Sequence, residues 1–372
     1  MSEAREYPPN GAFNGEVGRV VEESVEAWPA PRRAPEGAPN VVFVVLDDVG
    51  YAQLGCYGSD IETPAFDGLA AEGLRYGNFH TTAMCSPTRA SLLTGCNHHT
   101  TGMGGIADQA TGFPGYHARI PKRTGFLSEI LRDQGYASLA VGKWHLAPRE
   151  EQGLGSTRER WPLGRGFERY YGFLGAEANQ WEPDLIADNH AVEPPATPEE
   201  GYHLTEDLAD QSIRMINDVR NSEPDRPFFL YFATGACHAP HQAPREWIDR
   251  YAGRFDEGWD VARERTHARQ LEMGLLPEGT ELSARPDWIE AWSDVEPERR
   301  ALYARMMEVY AGFLSHTDHQ VGRIVDHLAE IGELEDTIIV VISDNGASPE
   351  GNEHGSWNTN RWYNGEPETF ES

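Results

Sequence analysis

The sequence predicts an α/β fold with a large, mostly parallel central sheet flanked by helices, and three observations carry that reading. Short runs rich in apolar and β-branched residues recur at 40–46, 136–141, 226–234 and 337–343, as expected of strands buried on both faces of a sheet. Helical patterns lie between them, and the length of 372 residues allows a sizeable core. Each run also ends on polar groups: Asp47-Asp48, Lys143 and His145, His238 and His241, and Asp344-Asn345. In open α/β sheets that C-terminal edge is where ligands bind.

Taken in order, residues 1–39 are polar and rich in Pro and Gly, which reads as a surface arm, and 40–372 read as one domain. Thr63 to Gly73 predicts a helix, with Thr63 as N-cap, Pro64 in the first position and Gly73 as the stop. Leu74 to His80 reads as a strand leading into the loop before Cys85. The apolar spacing of Phe126, Leu127, Ile130 and Leu131 predicts a helix over 124–134, and Tyr136 to Val141 a strand that delivers Lys143 and His145. From 147 to about 201 Gly, Pro and aromatics dominate, among them Trp161, Phe167, Tyr170, Tyr171, Phe173 and Trp181. These fit core packing better than a pocket wall.

A helix follows over 204–219, then the strand before Cys237-His238-Ala239-Pro240-His241; of its two histidines one is expected to work and the other to satisfy a loop hydrogen bond. Residues 245–297 are charged and lack a strand pattern, which reads as an insertion or lid. A long helix runs from about Glu298 to Ile331, and after the strand at 337–343 the chain turns polar without a closing element.

The formal charge of −29, from 31 basic and 60 acidic residues, argues against nucleic acid as a partner, while a small anion remains compatible with a local cluster of Arg, Lys and His. Four scattered cysteines, Cys56, Cys85, Cys96 and Cys237, have neither metal-site spacing nor the density of a disulfide framework. With no apolar leader and no membrane-length run, cytoplasmic residence and no membrane partner are the expectation.

The chemistry centres on Cys85, which opens the pattern Cys-x-Pro-x-Arg ahead of a helix-compatible run ending at Thr94-Gly95. A group at 85 would face a helix N-terminus, which attracts anions. Asp47, Asp48, Asp344 and Asn345 offer oxygen ligands only, suiting a hard cation such as Ca²⁺ or Mg²⁺ rather than Zn²⁺. A small anionic ester would need its peripheral oxygens neutralised, a nucleophile in line and a proton donor for the leaving oxygen; Arg89, Lys143, His145 and His238 are the groups at hand.

The segment Cys85 to Gly95, together with Gly142-Lys143-Trp144-His145, resembles the type I sulfatases, and the resemblance runs along most of the chain. It implies an alkaline-phosphatase-like sandwich and oxidation of Cys85 to formylglycine by a dedicated generating oxidase. The hydrated aldehyde would attack a small sulfate ester, and its second hydroxyl would let sulfate leave by collapse back to the aldehyde. One divalent cation, usually Ca²⁺, would be held by Asp47, Asp48, Asp344, Asn345 and the modified Cys85. The resemblance further implies that Asp344 takes the proton of the attacking hydroxyl, Arg89 holds the site's geometry, Lys143 and His238 bind sulfate with His238 a leaving-group acid, and His145 assists elimination. A later family lysine has no counterpart, since no Lys follows Lys143, which suggests a C-terminally truncated product. Two alternatives follow: a phosphonate or phosphate ester hydrolase on the same scaffold, or an inactive remnant that binds only metal or anion.

Overall fold

The alternating β-branched residues of Asn40–Leu46 form β1, whose Val42, Val44 and Leu46 enter one half of the core while Val45 enters the other. This computed structural model describes residues 13–28, 32–348, 354–356 and 365. The remaining strands are β2 (Ala137–Lys143), β3 (Arg169–Phe173), β4 (Leu185–Ala187), β5 (His190–Val192), β6 (Phe228–Ala233) and β7 (Thr337–Ser343). They make one sheet in the order β5-β4-β3-β2-β6-β1-β7, parallel from β3 to β7, with β4 and β5 added antiparallel at one side. Because β1, β2, β6 and β7 run the same way, all four polar strand ends meet at one edge.

Helices cover both faces. On one lie α1 (Pro64–Glu72), α4 (Leu204–Ser222) and α7 (Pro297–Glu330), whose Phe66, Leu208, Phe313 and Ile324 pack with Val44, Leu230 and Phe232. On the other lie α2 (Cys85–Thr94) and α3 (Leu127–Asp133), where Ala90, Leu93, Trp144 and Phe167 pack with Val45 and Phe229. The α/β fold with a mostly parallel central sheet is therefore as the sequence predicts.

One local expectation changes, and two further stretches hold elements that the sequence did not announce. Residues 74–80 form no strand: Leu74, Tyr76 and Phe79 are exposed, and no neighbouring strand pairs with them. An apolar alternation without a ladder partner leaves its amides to water. The aromatic stretch 147–201 contributes β3, β4 and β5, and Trp161, Phe167, Tyr170, Tyr171 and Phe173 are buried as core. Residues 245–297 hold α5 (Arg245–Asp249) and α6 (Gly258–Glu272). The N-terminal residues 1–12, the proline-rich positions 29–31 and most of the chain after 348 lie outside the described residues.

Thr63 precedes α1 as expected, but its hydroxyl is turned to Asp67 and to the Gly55 amide. The cap comes instead from α7: the Asp318 carboxylate accepts from the amides of Ala65 at 3.1 Å and Phe66 at 2.8 Å. Asp318→Ala is expected to cost about 1–2 kcal/mol by orphaning two helix-end donors. A urea melt checks this, the midpoint falling at unchanged slope.

Candidate active site

Cys85 is the first residue of α2 and is buried. The helix starts there because Met84 is extended, and it ends at Gly95, whose left-handed φ of 66° lets its amide close on the Ser91 carbonyl. Arg89, one turn on, is fully buried. Its Nε and Nη2 both reach Asp344 Oδ2 at 2.8 Å, and Nη1 donates to the Lys143 carbonyl at 3.2 Å. Burial works against the guanidinium charge, but Asp344 and the other negative groups around it hold its pKa above the ordinary value.

The end of β2 supplies the next groups. Gly142 has φ 102°, and a Cβ there would stand 1.8 Å from the Ala233 carbonyl of β6, so only glycine lets the two strands close. Lys143 is buried with Nζ 2.6 Å from Asp47 Oδ2; burial disfavours its ammonium, but Asp47 together with Cys85 and Asp344 raises the pKa on balance. His145 follows with a positive φ of 52°, which turns its ring so that Nδ1 lies 3.2 Å from Cys85 Sγ. Burial pulls His145 down to about 4, leaving the ring neutral at pH 7, and burial pushes the Cys85 thiol up.

Asp47 and Asp48 follow β1, and Asp344 follows β7. One carboxylate oxygen from each lies within 4.8 Å of the others, all three residues being buried. Asn345 donates its amide to Asp48 Oδ1. Asp47 Oδ1 and Asn345 Oδ1 are enclosed yet accept no hydrogen bond. Beyond β6, His238 Nε2 stands 3.9 Å from Asp48 Oδ2, while Nδ1 lies 2.8 Å from the Ala239 carbonyl. His241 Nε2 lies 3.0 Å from the Cys237 carbonyl, so each of the two rings meets a carbonyl of this loop. The structure thus brings Asp47, Asp48, Cys85, Arg89, Lys143, His145, His238, Asp344 and Asn345 to one sheet edge, and all four cysteines are free.

The sulfatase family profile matches residues 39–369. The chain belongs to the sulfatase family. This sulfatase is 35% identical over 338 residues to an uncharacterized sulfatase of Schizosaccharomyces pombe, covering 85% of this chain and 59% of that protein. It is 30% identical over 333 residues to an arylsulfatase of Klebsiella aerogenes, covering 85% and 68%. Among solved structures it is similar to Ps i-CgsB, at 25% identity and a TM-score of 0.61, covering 84% of this chain and 59% of that one. The chain therefore spans about three fifths of the length of the first of these relatives.

Sequence reasoning missed several supports of this candidate site. The Ser86 hydroxyl donates to the His145 carbonyl at 2.8 Å and accepts from the Ala107 amide at 3.1 Å, tying α2, β2 and the 106–109 loop together. Asp108 Oδ2 stands 2.8 Å from His145 Nε2, and Tyr231 Oη lies 3.5 Å from Arg89 Nη1. Ser86 lies inside the Cys-x-Pro-x-Arg motif and Tyr231 sits in a strand, but Asp108 lies in a single 3₁₀ turn, Ala107–Gln109, within a Gly-rich stretch with no periodicity to mark it. A cavity of about 730 Å³ opens beside Asp48 and Cys237, with walls that include Phe255, Trp259, Trp292 and Met307. Among the described residues no helix is long and apolar enough to cross a membrane.

Proposed function

We propose that this chain carries the catalytic domain of a sulfuric ester hydrolase of the arylsulfatase type, cleaving a small sulfate ester to an alcohol or phenol and sulfate. The observation that carries the reading is the meeting of Cys85, at a helix N-terminus, with a cluster of three buried carboxylates at one sheet edge. Among the described residues those carboxylates face Arg89 and Lys143 as close buried cations, leaving one negative charge over, and Asp47 Oδ1 and Asn345 Oδ1 accept no hydrogen bond. The donor set is all oxygen, so it fits one hard divalent cation, Ca²⁺ or Mg²⁺. Asp47, Asp48, Asp344, Asn345 and residue 85 would hold it.

When present, the cation supplies charge against the ester oxygens, and a formylglycine hydrate at 85 supplies the nucleophile. The chain's own residues supply the rest. Arg89 fixes the Asp344 carboxylate and keeps it from repelling Asp47. Asp344 would take a proton from residue 85, a role supported by the raised pKa that burial, then the Asp47 charge, gives it. Lys143 and His238 would bind the sulfate oxygens, with His238 the acid for the leaving group, and His145, neutral at pH 7, would accept a proton at Nδ1. The apolar cavity suits an aromatic alcohol half. Cytoplasmic residence and maturation by a formylglycine-generating oxidase complete the proposal.

Protein made alongside such an oxidase should hydrolyse an aryl sulfate faster than the matching aryl phosphate. A phosphate preference would move it to the phosphate and phosphonate ester hydrolases, and no turnover of either ester by the matured chain would leave a binding remnant. The cation is tested separately. Adding Ca²⁺ at about 100 times its dissociation constant should stabilise the fold by about 2.7 kcal/mol. A thermal melt reads this, and the gain should vanish with chelator or in Asp344→Asn. An unchanged melt in Ca²⁺ and in Mg²⁺ would remove the metal from the proposal.

A further inference from the structure

Behind His145, on the side away from Cys85, lies a carboxylate that the reading above does not use. Asp108 Oδ2 is 2.8 Å from His145 Nε2, and its other oxygen accepts from Gln152 Nε2 at 2.9 Å. Gln152 Nε2 donates in turn to the Ala147 carbonyl at 3.1 Å, which fixes the amide so that its NH₂ faces the carboxylate. The loop carrying Asp108 is tied to the first turn of α2 through the Ala107 amide and Ser86, and the same Ser86 hydroxyl holds the His145 carbonyl. The His145 amide is also anchored, to the Leu174 carbonyl at 3.2 Å. His145 itself keeps a left-handed backbone, a conformation disfavoured for a residue with a Cβ and retained only where its surroundings impose it. Backbone, ring edge and far carboxylate are thus all held from outside the imidazole.

An ionised carboxylate only accepts hydrogen bonds. Facing Asp108, Nε2 must therefore carry the ring's hydrogen, and Nδ1, 3.2 Å from Cys85 Sγ, must present its lone pair. With the hydrogen on the other nitrogen, Nδ1–H would point at residue 85 and Nε2 would oppose a carboxylate with nothing between them. We propose that Asp108, oriented by Gln152, is a positioning residue that fixes the His145 tautomer with hydrogen on Nε2, so that Nδ1 receives the hydrogen carried by the side chain of residue 85. In the unmatured chain that hydrogen is the thiol proton, which stays on sulfur in an S–H···Nδ1 hydrogen bond; transfer belongs to the matured residue. On transfer the bond from residue 85 to hydrogen breaks, an Nδ1–H bond forms, and the Nε2–H···Asp108 bond stays in place. A plain ion pair predicts less: Asp108 is 28% exposed, and partly exposed pairs contribute little to stability.

The catalytic part of this inference rests on the sulfatase reading, and the tautomer does not, so the test has two arms. In the ¹⁵N-histidine-labelled 372-residue chain with Cys85 unmodified, long-range ¹H–¹⁵N spectra report which ring nitrogen is protonated. The His145 signals are identified by their loss in His145→Gln. We expect the Nε2–H pattern in the wild type and its loss or mixing with Nδ1–H in Asp108→Asn, with Gln152→Ala giving a weaker form of the same change. In protein matured by the oxidase, Asp108→Asn should lower kcat on an aryl sulfate by about 10–100-fold at near-constant KM, with partial recovery in Asp108→Glu. An Nδ1–H pattern in the wild type, or an Asp108→Asn protein with unchanged tautomer and kcat, would overturn the assignment. If the matured wild type hydrolyses no sulfate ester, the sulfatase reading fails while the spectrum still decides the role of Asp108.

Discussion

Arg89→Met is expected to destabilise the folded chain by about 3–5 kcal/mol, the cost of stranding buried charge when one partner is removed. The residue is fully buried, makes two 2.8 Å contacts to Asp344 Oδ2, and lies 3.7 Å from Asp47 Oδ1. Methionine restores the volume but none of the charge, so Asp344 and Asp47 would face each other with Lys143 alone between them. Arg89→Lys should recover little, because one ammonium cannot span Asp344, the Lys143 carbonyl and Tyr231 at once. Urea denaturation gives the value directly, and Ca²⁺ should offset part of the loss by returning positive charge to the same carboxylates. A loss below about 1 kcal/mol would mean that Arg89 is not what neutralises them.

The largest effect on activity is expected at Cys85. In matured protein Cys85→Ala should lower aryl sulfate hydrolysis by about 10⁴-fold or more, as removal of a nucleophile does where no other group can replace it. The fold should survive, since alanine suits the first turn of α2. The tryptic peptide Tyr76 to Arg89 holds Cys85 as its sole cysteine, so its mass separates thiol from aldehyde or hydrate. Wild-type turnover with that peptide wholly in the thiol form would refute the nucleophile assignment, and so would a Cys85→Ala protein within about tenfold of the wild-type rate.

Much of this arrangement was legible in the chain. The strand at 337–343 has the bounds its β-branched run implies, but not the burial on both faces that the run suggests: among the described residues it is the last strand of the sheet, Ile338 is exposed and its other positions are only half-buried. The carboxylates, Lys143 and the histidines were found because a parallel sheet sends every strand end to one edge. The strands at 169–173 and 185–192 were not seen: they are short, and Gly172 and the surrounding aromatics blur their alternation. Leu74 to His80 has the alternation and lacks the partner, which no local pattern can report. Asp108 and Gln152 come from loops that meet His145 only after the sheet has formed, so their role is written in tertiary geometry alone.

Gly142 bears on how such a site can change over time. With the Ala233 carbonyl 1.8 Å from where a side chain would begin, any substitution must part β2 from β6. Lys143 and His145 travel with the first strand and His238 with the second, so a single methyl group there would misalign three groups that no methyl touches. Mutational drift, or a laboratory search for new specificity, must therefore leave this glycine alone and work on the cavity wall around Trp259 and Trp292, where side chains can be exchanged without moving a strand.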